Sequence, residues 1–168
     1  RLYVRFFDVV RDADGEIMPN ATLQFDTADE KRTTEEKEKE SLMPKGMEII
    51  PVVYIVNDCL KANTKTNPIS SDKSGRKSSD ETPRQLADKI LNRILQMNEA
   101  NDIGNVKEIQ IDCDWTASTQ EAYFEFLHFL KEKAKDKQIQ LSATIRLHQL
   151  SMTPPPVDRG ILMMYNTG

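Results

Sequence analysis

Hydrophobic and polar residues change rhythm several times along this chain, and each change marks an element. Residues 2–10 are rich in β-branched and aromatic side chains and run toward Asp14-Gly15, so they predict a strand that ends at a turn. A short further strand is expected over 21–25. No amphipathic helix is legible between 11 and 47, so strict β/α alternation fails near the start. Residues 49–56 are almost continuously apolar, as in a strand of a parallel sheet covered on both faces.

Thr82-Pro83-Arg84-Gln85 joins an N-cap hydroxyl, a proline at the first helical position and a glutamine that can complete a capping box. Leu86, Ile90, Ile94 and Met97 then recur at helical spacing, widened by Leu91 and Leu95, and predict one face lying on a sheet. Gly104 is placed to reverse the chain. In the next strand Ile109, Ile111 and Cys113 fall on one side, and Gln110, Asp112 and Asp114 on the other. Ser118-Thr119-Gln120-Glu121 reads as the capping box of a second helix, with Tyr123, Phe124, Phe126, Leu127, Phe129 and Leu130 as its apolar side and lysines at its end. Residues 140–149 alternate again, Leu141, Ala143, Ile145 and Leu147 against Ser142, Thr144, Arg146 and His148. Pro154-Pro155-Pro156 enforces an extended loop, and 161–165 predict a last strand.

This order predicts a mostly parallel α/β sheet with right-handed crossovers. A doubly wound sheet would have apolar central strands, whereas here two strands carry a polar face made of Gln110, Asp112, Asp114, Ser142, Thr144, Arg146 and His148. The inside of a barrel near its mouth tolerates that pattern. The expected fold is therefore a partial (β/α) TIM-like barrel, truncated after the fifth strand and lacking about three strand-helix units. The polar segments 26–46 and 60–82 have little to bury and are expected to be flexible loops within a single domain over 1–168. Gly75-Arg76-Lys77-Ser78 lacks the first glycine of a phosphate loop and is not read as one.

Composition narrows the partners. A formal charge of -4 and a pI near 5.3 disfavour nucleic acid, which is bound through a basic face. No apolar run reaches the roughly 18 residues of a membrane span, and no signal peptide is visible. The chain begins at Arg1, which is expected of a processed or trimmed product, so an export signal can have preceded it. Cys59 and Cys113 have neither zinc nor redox spacing, and Cys113 reads as a small core residue. His128 has no second ligand one turn away, so no metal site and no cofactor are expected.

The candidate chemistry sits on 110–116, where Asp112 and Asp114 end a strand at the carboxyl edge of the sheet. Ligands of α/β folds bind at that edge. Two positions along a strand put the two backbones about 6.5–7 Å apart, a span used by paired acids that share acid, base or nucleophile roles. The same residues allow a hard cation held with Asp8, or a buried ion pair of Asp112 with Arg146. Trp115 is read either as a sugar-stacking platform or as packing.

Asp112-Cys113-Asp114-Trp115 resembles the Asp-Ile-Asp-Trp core of the chitinase-type barrel glycosidases. In that family a glutamate follows the tryptophan as general acid and a further aspartate precedes by three positions. Here those positions hold Thr116 and Ile109, so the family's substrate-assisted chemistry does not carry over. Over a longer stretch, the segments 5–9, 110–119, 141–149 and 155–166 are similar to an uncharacterised bacterial (β/α)-barrel family related in fold to glycoside hydrolases. That resemblance implies a barrel fold and a cell-envelope, extracytoplasmic location. The resulting expectation is a protein that binds and possibly hydrolyses a glycan, with a non-catalytic glycan-binding or cell-surface interaction protein as the alternative. Asp112 and Asp114 are its expected catalytic pair. Asp8, Trp115, Arg146, His148, Tyr165 and Asn166 are expected to contact carbohydrate.

Overall fold

A computed structural model of the protein describes residues 1–25, 46–61, 81–104 and 106–164. Six strands form one sheet: β1 (Leu2–Arg11), β2 (Ile17–Asn20), β3 (Ile49–Ile55), β4 (Glu108–Cys113), β5 (Gln140–Arg146) and β6 (Arg159–Met163). Their order is β2-β1-β3-β4-β5-β6, with β2 antiparallel to β1 and every other pair parallel. Two long helices, α1 (Pro83–Ala100) and α2 (Gln120–Asp136), connect β3 to β4 and β4 to β5. From β1 onward the strand order advances without reversing, unlike a doubly wound sheet.

Local chemistry explains most boundaries. The Thr82 side chain caps the Gln85 N–H, and the Gln85 side chain returns to the Thr82 N–H, so the expected capping box is present. The β1–β2 turn is built on Asp12, whose carboxylate accepts from the N–H groups of Asp14 and Glu16. Gly15 supplies the left-handed residue there, at φ 91°.

The two helices pack against each other and against one face of the sheet. That face is lined by Phe7, Val9, Val53, Ile55, Ile109, Ile111, Cys113 and Leu141, all buried with Leu86, Ile90, Ile94, Phe126, Leu127 and Leu130 of the helices. This is the apolar stripe that the helical and strand spacings predict. In register on the opposite face lie Tyr3, Arg5 and Asp8 of β1 with Ile50, Val52 and Tyr54 of β3, then Gln110 and Asp112 of β4 and Ser142 of β5. An irregularity between Arg5 and Phe7 lets β1 turn both Phe6 and Phe7 into the core.

The polar face is concave. The Arg159 guanidinium on β6 donates to the Tyr3 hydroxyl on β1, at 3.0 Å, although three strands lie between them. Four strand spacings in a flat sheet would span about 19 Å. The sheet is therefore curled into a trough, and the curl buries Ile50, Gln110, Ser142 and Thr144 on a face that no helix among the described residues covers.

Several expectations are corrected. The sheet is open, and a closed barrel is not formed: β2 folds back onto the carboxyl half of the β1 edge, where a closing strand would lie. The short additional strand is Ile17–Asn20, not 21–25. Strand β5 ends at Arg146, and Leu147–Ser151 is a 3-10 turn. The left-handed residue after α1 is Asp102 (φ 53°), not Gly104. Helix α2 starts after Thr119 with no side-chain cap, so the Ser118 capping box does not form. The expected loops at 26–46 and 60–82 fall largely outside the described residues, as do Gly75 to Ser78.

Candidate functional site

The carboxyl-end third of the trough gathers the polar chemistry. Asp8, Tyr54 and Asp112 are register partners across β1, β3 and β4, so their side chains form one row. Arg146, at the end of β5, joins both acids of the sequence motif. Its Nη2 donates to Asp112 Oδ1 at 2.9 Å, and its Nε contacts Asp114 Oδ1. Thr144 donates to the same Asp112 oxygen at 2.6 Å. Asp112 and Arg146 are mostly withdrawn from solvent, their side chains 18% and 11% exposed, while Asp114 is 48% exposed. The ion pair that was one reading of Asp112 is present, and it extends to Asp114.

A second cation lies across the trough. Arg5 Nε donates to Asp8 Oδ1 at 2.5 Å, and its guanidinium stacks over the Tyr54 ring at 4.7 Å. The bond to Asp8 raises the Arg5 pKa against the opposing effect of burial. Burial also raises the Tyr54 phenol, helped by the charges of Asp114 and Asp112, so Tyr54 remains a hydrogen-bond donor at neutral pH. The row thus offers acceptors on two aspartates, donors on two arginines and one phenol.

Other expected residues are placed elsewhere. Trp115 points to the helix side and is wholly buried, stacked on Tyr123 at 5.9 Å and edge-on to Phe124 at 5.3 Å. Its expected role as a sugar platform is therefore corrected to packing. The reason is local: position 115 follows 109, 111 and 113 onto the helix side, opposite the face that carries Asp112. His148 is exposed on the 3-10 turn, off the strand alternation that was to bring it into the trough. Tyr165 and Asn166 lie outside the described residues.

Four contributors were missed or undervalued. Arg5 and Tyr54 sit in strands that read as plain β sequence, and Thr144 was visible only as a polar-face position. Gln149 is the fourth. Buried beneath the turn, it accepts from the Arg146 N–H at 2.8 Å and donates to the Trp115 carbonyl at 2.9 Å. These bonds hold the end of β5 beside the end of β4, which positions Arg146 over the acids. A polar residue within an apparent strand alternation gives no such signal.

Asp8 is engaged by Arg5, and the other two acids by Arg146, so the three do not converge on a common point. Among the described residues no group of three or more His, Cys, Asp or Glu side chains could hold a metal ion. The cysteines are not nucleophiles either. Burial pushes the Cys59 thiol up to about 11, and burial beside Asp114 and Asp112 pushes Cys113 higher still. No helix among the described residues is long and apolar enough to cross a membrane. No family model matches the sequence, and neither the curated proteins nor the solved structures contain a match to it.

Proposed function

We propose that this chain is a glycoside-hydrolase-like barrel portion that binds a glycan at the carboxyl end of its trough without hydrolysing it. The observation that carries this reading is the Arg146 guanidinium seated between Asp112 and Asp114. A hydrolytic pair needs one carboxyl group free to give a proton to the leaving oxygen and another facing the anomeric carbon or a water. Here one cation occupies both acids, and Thr144 adds a second donor to Asp112. The same arrangement suits recognition. Fixed charged donors and acceptors beside an aromatic ring match the hydroxyl pattern of a sugar, and their mutual bonds hold them in place before a ligand arrives. The curl of five parallel strands supports the barrel half of the reading, and the envelope location implied by the resemblance belongs with it.

The test is a panel of oligosaccharides measured for binding by calorimetry and for cleavage by reducing-end release. Binding without cleavage, weakened at least tenfold in Asp114→Asn and in Arg146→Ala, is the expected result. Cleavage by the parent that disappears in Asp112→Asn would establish a hydrolase instead. Absence of binding to every glycan would remove carbohydrate from the account.

A further inference from the structure

The amino-end half of the trough carries a second charged group with a different task. Glu108, on the concave face of β4, is 2% exposed, yet it is a carboxylate. Its Oε2 contacts the Arg159 guanidinium of β6, and Arg1 stands 3.7 Å away. Its other oxygen is buried with no hydrogen-bond partner. Arg159 is consequently the principal counter-charge of a buried acid, and the same Arg159 nitrogen reaches the Tyr3 hydroxyl on β1. One side chain therefore joins β6, β4 and β1.

We infer that Arg159 is a strap that holds the sheet curled, and so sets the distance between the two flanks of the trough. One flank presents Arg5 and Asp8, and the other presents Arg146 and Asp114. Arg159 bonds Tyr3 and Glu108 and none of these four side chains, so its role is positioning. The direction of its effect follows from solvation. A buried carboxylate that loses its cation is strongly destabilised, and the cheapest relief is to open the trough and admit water. Backbone pairing along β5 and β6 does not oppose this, because the strands can flatten while their ladder stays intact. The inference concerns the shape of the sheet and stands whether or not a glycan binds.

The measurement is the distance between spin labels on Met18→Cys of β2 and Leu162→Cys of β6, both exposed positions, read by pulsed electron resonance. The native Cys59 and Cys113 are buried and stay unlabelled in the folded protein. With Arg159 present, one narrow distance is expected. Arg159→Ala should lengthen it by several ångström and broaden it, while Glu108→Gln, which keeps a hydrogen-bonding partner for Arg159, should stay close to the parent. An unchanged distance in Arg159→Ala, with its circular dichroism intact, overturns the strap. Should Arg159→Ala not fold, Tyr3→Phe decides, because it removes only the hydroxyl on the far flank. Broadening then supports the strap, and a parental distance refutes it.

Discussion

The two faces of β4 are built on opposite physics within six residues. Ile109, Ile111 and Cys113 look toward the helices and are sealed by apolar contact alone, continued by Trp115 just past the strand. Glu108, Gln110 and Asp112 look into the trough and are also largely withdrawn from water, but each side chain there depends on a named partner: Arg159, Ser142, Thr144 or Arg146. Burial on the first side is non-directional and forgiving of small shifts. On the second it is tied to geometry, since a lost partner leaves a charge behind. The face that stabilises the fold and the face that can do chemistry thus share one strand.

That contrast can be attacked from either side. Trp115→Ala should be the costliest single change, about 3–5 kcal/mol in urea unfolding, because it empties a large site enclosed by Tyr123 and Phe124. A loss below 1 kcal/mol would mean the helix side is loosely packed. Arg146→Ala comes next, at about 2 kcal/mol, since it strands Asp112 in a partly buried position. Asp112→Asn added to it should return part of that loss by removing the stranded charge. If the two losses simply sum, the concave face is not held by paired charge.

A pH titration probes the apolar side. The Cys59 thiol rises from its ordinary 9.0 to about 11 on folding, so between those values the folded state holds more protons than the unfolded one. Stability is then complete below about pH 9 and falls as pH rises toward 11, by up to about 1.4 kcal/mol per pH unit. Unfolding midpoints at pH 8, 9 and 10 should show that slope in the parent and a shallower one in Cys59→Ala. Equal slopes would clear Cys59 of any part in it. The smallest effect expected is that of Thr144→Val, about 1 kcal/mol, which deletes one of the two donors on Asp112 Oδ1 and keeps the volume nearly constant.

What could be read from the residues follows the same division. The apolar periodicities of 86–97, 109–113 and 123–130 placed both helices and the covered face, because hydrophobic burial leaves a regular trace. The acids and their guanidinium were visible as types on one polar face. Their arrangement was not, since hydrogen-bonded networks follow no period. Gln149 ends the β5 alternation by bonding the Arg146 N–H and the Trp115 carbonyl, and this turned His148 and Leu147 away from the positions that a continued strand predicts. Strand β2 escaped notice for a related reason. Its Pro19 argues against a strand in isolation, yet is tolerated on an edge, where one side of the strand needs no donor.

Trp115 is the only tryptophan of the chain, and it stands one residue after Asp114 with its carbonyl held by Gln149. The molecule therefore carries its own optical probe. An indole shielded from water emits at short wavelength, and the stacked Tyr123 is well placed to pass excitation to it. A ligand that pulls Arg146 away from the acids would tug on Gln149 and shift that emission from behind, without touching the ring. Global unfolding would move it much further to the red. The two signals should separate binding at the trough from loss of the core in a single unlabelled sample.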